Sequence, residues 1–272
     1  MSGNCSHPHL YRRGVLARLK KYHCRKITIS EIKHTIDDFV NAAIRAKEAG
    51  FDRVQLHGAH GFLLNQFLSP FFNKRKDHYG GSIKNQARII IEIMDVIRSK
   101  LGSQFVVMIK LNSDDFLDGG FTPEEMVQVS SILEKRGIDA VELSGGNSIG
   151  KYSSSRIGEI NNEEDEVYYR DAARLYKREI NVPLILGGGI RSYVVAKGLI
   201  EQGFADYIAL CRPLIREPNL IKRWQSGDSR KVTCIYCNQC FKPTRAGEGL
   251  YCVIEAASNK KRIGNLFFTY NN

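Results

Sequence analysis

Long apolar segments are scarce in this sequence of 272 residues. No run approaches the roughly 18 to 20 apolar residues that a helix needs to cross a bilayer, and the N-terminus lacks the apolar core of a secretory signal. We therefore expect a cytoplasmic protein that does not bind membranes.

Acidic residues are absent before Glu31, while residues 12–26 are rich in arginine and lysine and the net charge of the chain is +11. Such a charge can attract nucleic acid. The remaining positive charge is dispersed, however, and the aromatic and basic pattern of an RNA- or DNA-binding module is missing. We therefore assign residues 1–26 to a basic, solvated tail and expect no nucleic-acid partner.

A disulfide framework is not indicated either. Four of the seven cysteines crowd between Cys234 and Cys252, which is typical of metal or cluster ligation in a reducing compartment. What the chain does have is a length and a 43% hydrophobic composition that suit one large α/β domain with a substantial core.

Helical and strand patterns alternate from residue 27 onward, as expected of βα units. Thr28 and Glu31 form a capping box at the start of the first helix. Thr122 and Pro123 mark the start of another helix. Further helices are expected at 82–100, 164–179 and 191–202. Strands are expected at 53–56, 105–111, 140–143, 184–186 and 206–210. Because parallel strands are covered on both sides, we expect these to be buried on both faces.

Two histidines, His57 and His60, follow the first strand where it runs into a glycine-containing loop. Active sites of barrel proteins are built at this end of the strands. The spacing by itself suits a packed or helix-capping pair equally well, so the surrounding sequence has to decide between the two interpretations.

The surrounding sequence is distinctive. It reads HGAHGFLLNQFLSP at 57–70 and KDHYGGSIKNQAR at 76–88. These stretches resemble the signature of the old yellow enzyme family, the FMN-dependent NADH:flavin oxidoreductases and ene reductases. The resemblance extends from about residue 27 to residue 255 and therefore covers most of the chain.

The resemblance implies a (β/α)8 TIM barrel of which this chain carries strands four to eight, so we expect an incomplete, N-terminally truncated barrel. We assign residues 27–228 to this partial FMN-binding barrel, 229–256 to a cysteine-rich cluster or metal segment, and 257–272 to a tail. Open sheet edges promote association. A complementing chain or a homo-oligomer is therefore an expected partner.

In this family the histidine pair hydrogen-bonds the oxygen of an activated carbonyl group. The resemblance assigns that role to His57 and His60, with NAD(P)H as the electron donor and an enone or enoyl compound as the substrate. Two donors on one oxygen polarise the conjugated double bond toward hydride from reduced FMN. Many members place a proton-donating tyrosine where this chain has Phe62. The proton then comes from water or from a residue elsewhere, such as Tyr79 or Tyr152.

FMN binding is expected from three places. The resemblance sets Lys110 near N1 and the C2 oxygen of the flavin, where the reduced ring is negative. The loops after the last two strands form the common phosphate site of this barrel class. There we expect backbone groups of Gly188, Gly189 and Cys211 and the guanidinium of Arg212 to hold the phosphate.

Cys234, Cys237, Cys240 and Cys252 form the pattern C-x2-C-x2-C-x11-C. Four thiolates so spaced suit either a [4Fe–4S] cluster or tetrahedral zinc. The position resembles the cluster segment of the 2,4-dienoyl-CoA reductase-like branch, although the second gap is one residue shorter. A separate protein would then have to donate electrons to such a cluster.

Two functions are consistent with these motifs. The first is an FMN-dependent oxidoreductase that passes hydride from NAD(P)H to an activated C=C bond. The alternative is a non-catalytic or split-enzyme fragment of the same family that binds metal or a partner chain.

Overall fold

The computed structural model describes residues 25–158 and 160–258, so most of the predicted tails 1–26 and 257–272 lies outside the described residues. Helices and strands alternate along it. The strands are β1 Arg53–Gly58, β2 Val106–Asn112, β3 Ala140–Ser144, β4 Leu184–Leu186 and β5 Tyr207–Ile208. The helices are α1 Ile29–Glu48, α2 Leu63–Leu68, α3 Ile83–Gln86, α4 Arg88–Leu101, α5 Pro123–Glu134, α6 Arg170–Glu179, α7 Tyr193–Glu201, α8 Arg212–Arg216, α9 Leu220–Gln225 and α10 Phe241–Ala246.

Helix α1 forms as its sequence predicts. The Thr28 hydroxyl accepts from the Glu31 N–H, and the Glu31 carboxylate accepts from the Thr28 N–H, which completes the capping box. Its buried residues Ile32, Ile36 and Val40 repeat at helical spacing and pack the helix against α4. Each such side chain, when fully buried, contributes about 1.5–3 kcal/mol.

Five strands form one sheet in the order β1-β2-β3-β4-β5 within the described part of the chain. The pairs β1–β2, β2–β3 and β3–β4 are parallel. Sequential order and parallel pairing are what consecutive βα units produce. A closed barrel of this class has about eight strands, and the described strands form the parallel α/β sheet that the sequence predicts.

The two faces of the sheet differ, and here the prediction of strands buried on both faces is wrong. The helix-covered face is apolar and closed, with Val107, Ile109 and Val141 fully buried. On the other face His57 is exposed and Lys110 is half-buried. Strands β1 to β3 therefore place their most deeply buried apolar residues on one face, while several positions on the other face remain accessible.

Several element boundaries also differ from the sequence prediction. Strand β1 extends to Gly58, so His57 lies within the strand rather than after it. The predicted helix 82–100 is broken at Ala87, which caps both α3 and α4. The predicted loop after β1 contains the helix α2, and α6 begins at Arg170 rather than at residue 164. Breaks of this kind depend on tertiary contacts, which local patterns do not encode.

The described residues form two compact units. The first comprises residues 25–154, 169–186 and 203–207, and the second 155–168, 187–202 and 208–258. The second unit thus combines parts of the predicted barrel with the predicted cysteine segment. Among the described residues there is no helix with the length and apolar character needed to span a bilayer.

Candidate active site

The predicted histidine pair is brought together in the first unit. His57 lies near the end of β1, and His60 follows in the turn before α2. Their ring centroids are 5.1 Å apart and the rings are nearly perpendicular, with an interplanar angle of 83°. Two imidazoles at this separation can both direct an N–H toward one small acceptor, as the catalytic interpretation requires.

The backbone of His60 is held in an unusual conformation. Its φ is 65°, in the left-handed region that non-glycine residues seldom adopt. Its N–H donates to Oδ1 of Asn112 at 3.0 Å, and the N–H of Gly61 donates to Oδ1 of Asn65 at 2.6 Å. Two amide side chains therefore compensate for the strain of the turn and fix the direction in which His60 points.

These amides belong to a fully buried polar cluster formed by Asn65, Asn112 and Asp115. Nδ2 of Asn112 donates to Oδ1 of Asp115 at 2.7 Å, and Nδ2 of Asn65 donates to the same oxygen at 3.3 Å. The other carboxylate oxygen accepts from the N–H of Phe121 at 3.0 Å. The cluster therefore orients both amides so that their oxygens face the His60 turn.

Both histidines are uncharged near neutral pH. Burial, together with the neighbouring His57 and Lys110, lowers the pKa of His60 to about 3. Burial and Lys110 also lower the pKa of His57, against the opposing effect of Glu142. Neutral imidazoles remain hydrogen-bond donors through one ring nitrogen each. Ring nitrogen Nε2 of His60 also lies 2.6 Å from the Ser144 hydroxyl, which helps to select the tautomer.

The low pKa of His60 predicts a dependence of stability on pH. As pH falls below 6.5 the unfolded chain protonates this histidine, whereas the folded protein keeps it neutral down to about pH 3. The free energy of unfolding should therefore decrease across this window. In urea titrations between about pH 7 and pH 4, His60→Gln should weaken that dependence.

The matched control for this prediction is His34→Gln, at an exposed histidine of α1. It should leave the pH dependence as in the unchanged protein. Equal slopes for His60→Gln and the unchanged protein would contradict the assignment of a neutral, partly buried His60.

Lys110 lies near the end of its strand, as the sequence predicts, and it is in contact with other polar side chains. Strand register pairs His57 with Lys110, and Lys110 with Glu142. The Lys110 ammonium forms an ion pair with Oε1 of Glu142 at 3.0 Å, and Nε2 of Gln55 donates to the other carboxylate oxygen at 2.9 Å. A row of polar side chains therefore crosses three strands beside the histidine pair.

Phe62 and the two tyrosines suggested as proton donors, Tyr79 and Tyr152, are each in contact with other side chains. The half-exposed Phe62 packs its ring 4.9 Å from that of His57. Tyr79 is buried and donates its hydroxyl to Glu92 at 2.7 Å, and burial and this contact raise its pKa to about 12. Tyr152 packs its ring 5.1 Å from Phe116. Tyr79 is thus engaged in the packing of α4 and is no candidate proton donor.

The glycine loop belongs to the second unit. Gly188 and Gly189 have φ values of 97° and 83°, which only glycine adopts freely. A Cβ on Gly189 would lie 2.7 Å from the ring of Tyr168, and the Tyr168 N–H donates to the Gly188 carbonyl at 3.0 Å. Both positions therefore favour glycine by their backbone conformation, and Gly189 also because the Tyr168 ring leaves no room for a Cβ. Phosphate binding by this loop stays a prediction.

Arg212 lies in the same unit but is less available than predicted. Its Nη1 donates to the Arg156 carbonyl at 2.7 Å and to Oδ1 of Asn238 at 2.8 Å. Its guanidinium also lies 4.2 Å from the ring centroid of Tyr236. Cys211 precedes it with an exposed side chain. A bidentate phosphate contact by Arg212 therefore has to use nitrogens other than Nη1.

The four cysteines of the spaced motif line one partly open pocket, together with Arg212 and Arg216. All four are free thiols. In the part of the chain that the structure describes, no group of three or more His, Cys, Asp or Glu side chains is close enough to hold a metal. Tyr236 and Asn238, between the cysteines, have φ values of 55° and 58°. Ligation at this segment thus stays a prediction.

Several functional residues could not be recognised from the sequence pattern. Glu142 and Gln55 give no signal in the sequence, because each is an isolated polar residue within a strand. Asn112 and Asp115 lie at and just after the end of β2, and polar residues at a strand end were the signal that could have identified them. Asn65 gave no such signal, because only the fold brings α2 to this cluster.

The comparison with known proteins now decides the family. The profile of the NADH:flavin oxidoreductase / NADH oxidase family matches residues 7–231. The chain belongs to this family. The match begins at residue 7 and so includes most of the segment 1–26, which the sequence alone had suggested to be a tail outside the family. It ends at residue 231, before Cys234, so the profile does not cover the four cysteines of the motif.

Individual relatives agree with the family assignment. The chain is 34% identical over 255 residues to an NADH oxidase of Thermoanaerobacter brockii, covering 88% of this chain and 39% of the relative. It is 35% identical to an NADPH dehydrogenase of Clostridium acetobutylicum, covering 72% and 56%. A 2-naphthoyl-CoA reductase complex with 2-naphthoyl-CoA superposes with a TM-score of 0.73 at 31% identity, covering 80% and 33%. The chain thus spans well under two thirds of each.

Proposed function

We propose that this protein is an FMN-dependent oxidoreductase of the old yellow enzyme type, which takes hydride from NADH or NADPH and delivers it to an activated C=C bond. The observation that carries the proposal is the pair His57 and His60, 5.1 Å apart and both neutral. Each neutral imidazole keeps one N–H, so each ring can donate one hydrogen bond to a carbonyl oxygen.

The substrate class follows from what the pair can stabilise. When a nucleophile adds to the β-carbon of an enone, negative charge develops on the carbonyl oxygen. His57 and His60 would donate to that oxygen, and Asn112 would keep the His60 turn in place through its 3.0 Å contact. An enone, enal or enoyl compound therefore fits the site.

The residues present also fit FMN. Lys110 supplies a positive charge near the end of β2, and Gly188 and Gly189 give their loop the left-handed backbone that glycine adopts freely. When bound, FMN supplies the two-electron carrier between nicotinamide and substrate. Lys110 would hold the pyrimidine side of the flavin, and the glycine loop with Cys211 and Arg212 would hold the phosphate.

The proposal is tested by reconstituting the purified protein with FMN and recording its absorbance spectrum. Bound flavin should then be bleached anaerobically by NADH or NADPH and restored by 2-cyclohexenone, a simple enone. A protein that takes up no FMN, or whose flavin is not reoxidised by the enone, would contradict the proposal. The alternative of a non-catalytic fragment predicts that result.

We propose further that Cys234, Cys237, Cys240 and Cys252 hold a [4Fe–4S] cluster, with structural zinc as the alternative. All four line one cavity. The left-handed residues Tyr236 and Asn238 support this, since alternating backbone conformations turn N–H groups toward a shared anionic centre. Such free thiols also suit the reducing cytoplasm in which we place the protein.

Replacing Cys237 with serine is expected to remove most of the bound metal, because a three-thiolate site binds far more weakly than a four-thiolate site. Metal analysis for iron and zinc, with an absorbance spectrum, measures the effect after reconstitution. Cys211→Ser, at the exposed cysteine outside the motif, is the matched control and should retain the metal. Unchanged metal content in Cys237→Ser would argue against ligation by this motif.

We also propose that a second polypeptide, either a complementing chain or another copy of this one, covers the open face of the sheet. The exposure of His57 and Gln55 on that face supports this. Sedimentation of the FMN-loaded protein measures the assembly state, and a monomer with full activity would contradict it.

A further inference from the structure

We propose that Glu142 is a positioning residue for the flavin site: together with Gln55 it holds Lys110 and sets how much positive charge Lys110 presents to the cofactor. The inference rests on the proposed function. It adds a residue that neither the sequence motifs nor the family resemblance singled out.

The register of the sheet creates this arrangement. His57 on β1 is paired with Lys110 on β2, which is paired with Glu142 on β3. Residues paired in register project from the same face of a sheet. All three side chains are therefore on the face that carries the histidine pair, and none is on the helix-covered face.

The contacts show a fixed ion pair rather than two solvated charges. The Lys110 ammonium lies 3.0 Å from Oε1 of Glu142, with side-chain exposures of 28% and 16%. Oε2 of the same carboxylate accepts from Gln55 at 2.9 Å. Because both carboxylate oxygens have partners, Glu142 cannot rotate away without losing two contacts, and Lys110 is restrained with it.

The electrostatic consequence concerns the two redox states of the flavin. Reduced flavin carries negative charge near N1, and a nearby cation favours that state over the oxidised one. Glu142 offsets most of the field of Lys110 at this distance. The pair therefore lets Lys110 donate a hydrogen bond while it limits the preference for reduced flavin, which keeps hydride transfer to the substrate favourable.

Glu142→Gln is the decisive variant, because glutamine keeps the size and an acceptor oxygen for Lys110 but removes the charge. The ratio of the dissociation constants for oxidised and reduced FMN should increase roughly tenfold. This change corresponds to a rise of about 30 mV in the two-electron potential. Lys110→Met should change the ratio in the opposite direction, and Glu124→Gln, at an exposed glutamate of α5, should leave it unchanged.

A second readout needs no flavin. Glu142 opposes the lowering of the His57 pKa by burial and Lys110. Glu142→Gln should therefore lower that pKa further in an NMR titration of the ring proton. Glu142→Asp retains the charge and should keep both the FMN ratio and the His57 titration close to those of the unchanged protein. If Glu142→Gln fails to fold, Glu142→Asp still tests whether the retained charge preserves both readouts, and Lys110→Met tests the effect of removing a charge from the ion pair.

The outcomes are distinguishable. If Glu142→Gln binds both redox states more tightly by the same factor, Glu142 merely competes with flavin for Lys110, and the inference is overturned. A ratio within about twofold of the unchanged protein overturns it as well. If the unchanged protein binds no FMN in either state, the proposed function fails and the inference fails with it.

Discussion

Alanine in place of His60 is expected to lower kcat/KM for enone reduction roughly 10²–10³-fold, the usual cost of removing one donor from a developing oxyanion. The loss should appear mainly in kcat, because the hydrogen bond strengthens as charge develops on the substrate oxygen. His57→Ala should have an effect of similar size, since its ring lies 5.1 Å from that of His60.

The double variant should lose less than the product of the two single losses, because the two donors act on one oxygen. Stopped-flow reoxidation of reduced flavin by the enone measures the step directly. FMN absorbance should be retained in both variants, and His34→Ala, at an exposed histidine of α1, should be fully active. A loss below about threefold in His60→Ala would show that the pair is not the polarising site.

Replacing Asp115 with alanine is expected to destabilise the protein by roughly 3 kcal/mol or more, because each donor left without a partner costs about 1–3 kcal/mol. Its carboxylate accepts from Asn65, Asn112 and the Phe121 N–H, all within a fully buried cluster. Urea unfolding followed by circular dichroism measures the change in the free energy of unfolding.

Asp118→Ala is the matched control, because Asp118 is a more accessible acid in the same loop and should change stability by less than about 0.5 kcal/mol. Asp115→Asn retains one acceptor and should give an intermediate loss. An unchanged free energy of unfolding in Asp115→Ala would mean that the cluster relaxes around the smaller side chain. The proposal that this cluster fixes the His60 turn would then be wrong.

The parts of the fold that depend on short-range contacts were predicted well. Thr28 and Thr122 each start a helix with a capping box, and both boxes form. Pro123 suits the first position of its helix, because the backbone N–H that proline lacks would have no partner within the helix at that position. The break at Ala87 and the late start of α6 were missed, since packing with distant segments decides them.

The candidate site was predicted in the same uneven way. The sequence predicted that His57, His60 and Lys110 lie at or near strand ends of a parallel sheet, although His57 is within β1 rather than after it. The ion pair of Lys110 with Glu142 was not, because their pairing depends on strand register, and residues 110 and 142 are far apart in sequence. Arg212 was predicted to be a phosphate clamp, yet its Nη1 is bound to the Arg156 carbonyl and Asn238.

By itself, the sequence determined the family, the order of helices and strands, and the identity of the histidine pair, because these depend on motifs and local patterns. Only the tertiary structure decided the protonation state of the pair, the buried amide cluster behind His60 and the partner of Lys110. Burial, strand register and long-range hydrogen bonds set those properties, and each is a relation between segments that are distant in the chain. The charge at the histidine pair is therefore a property of the fold.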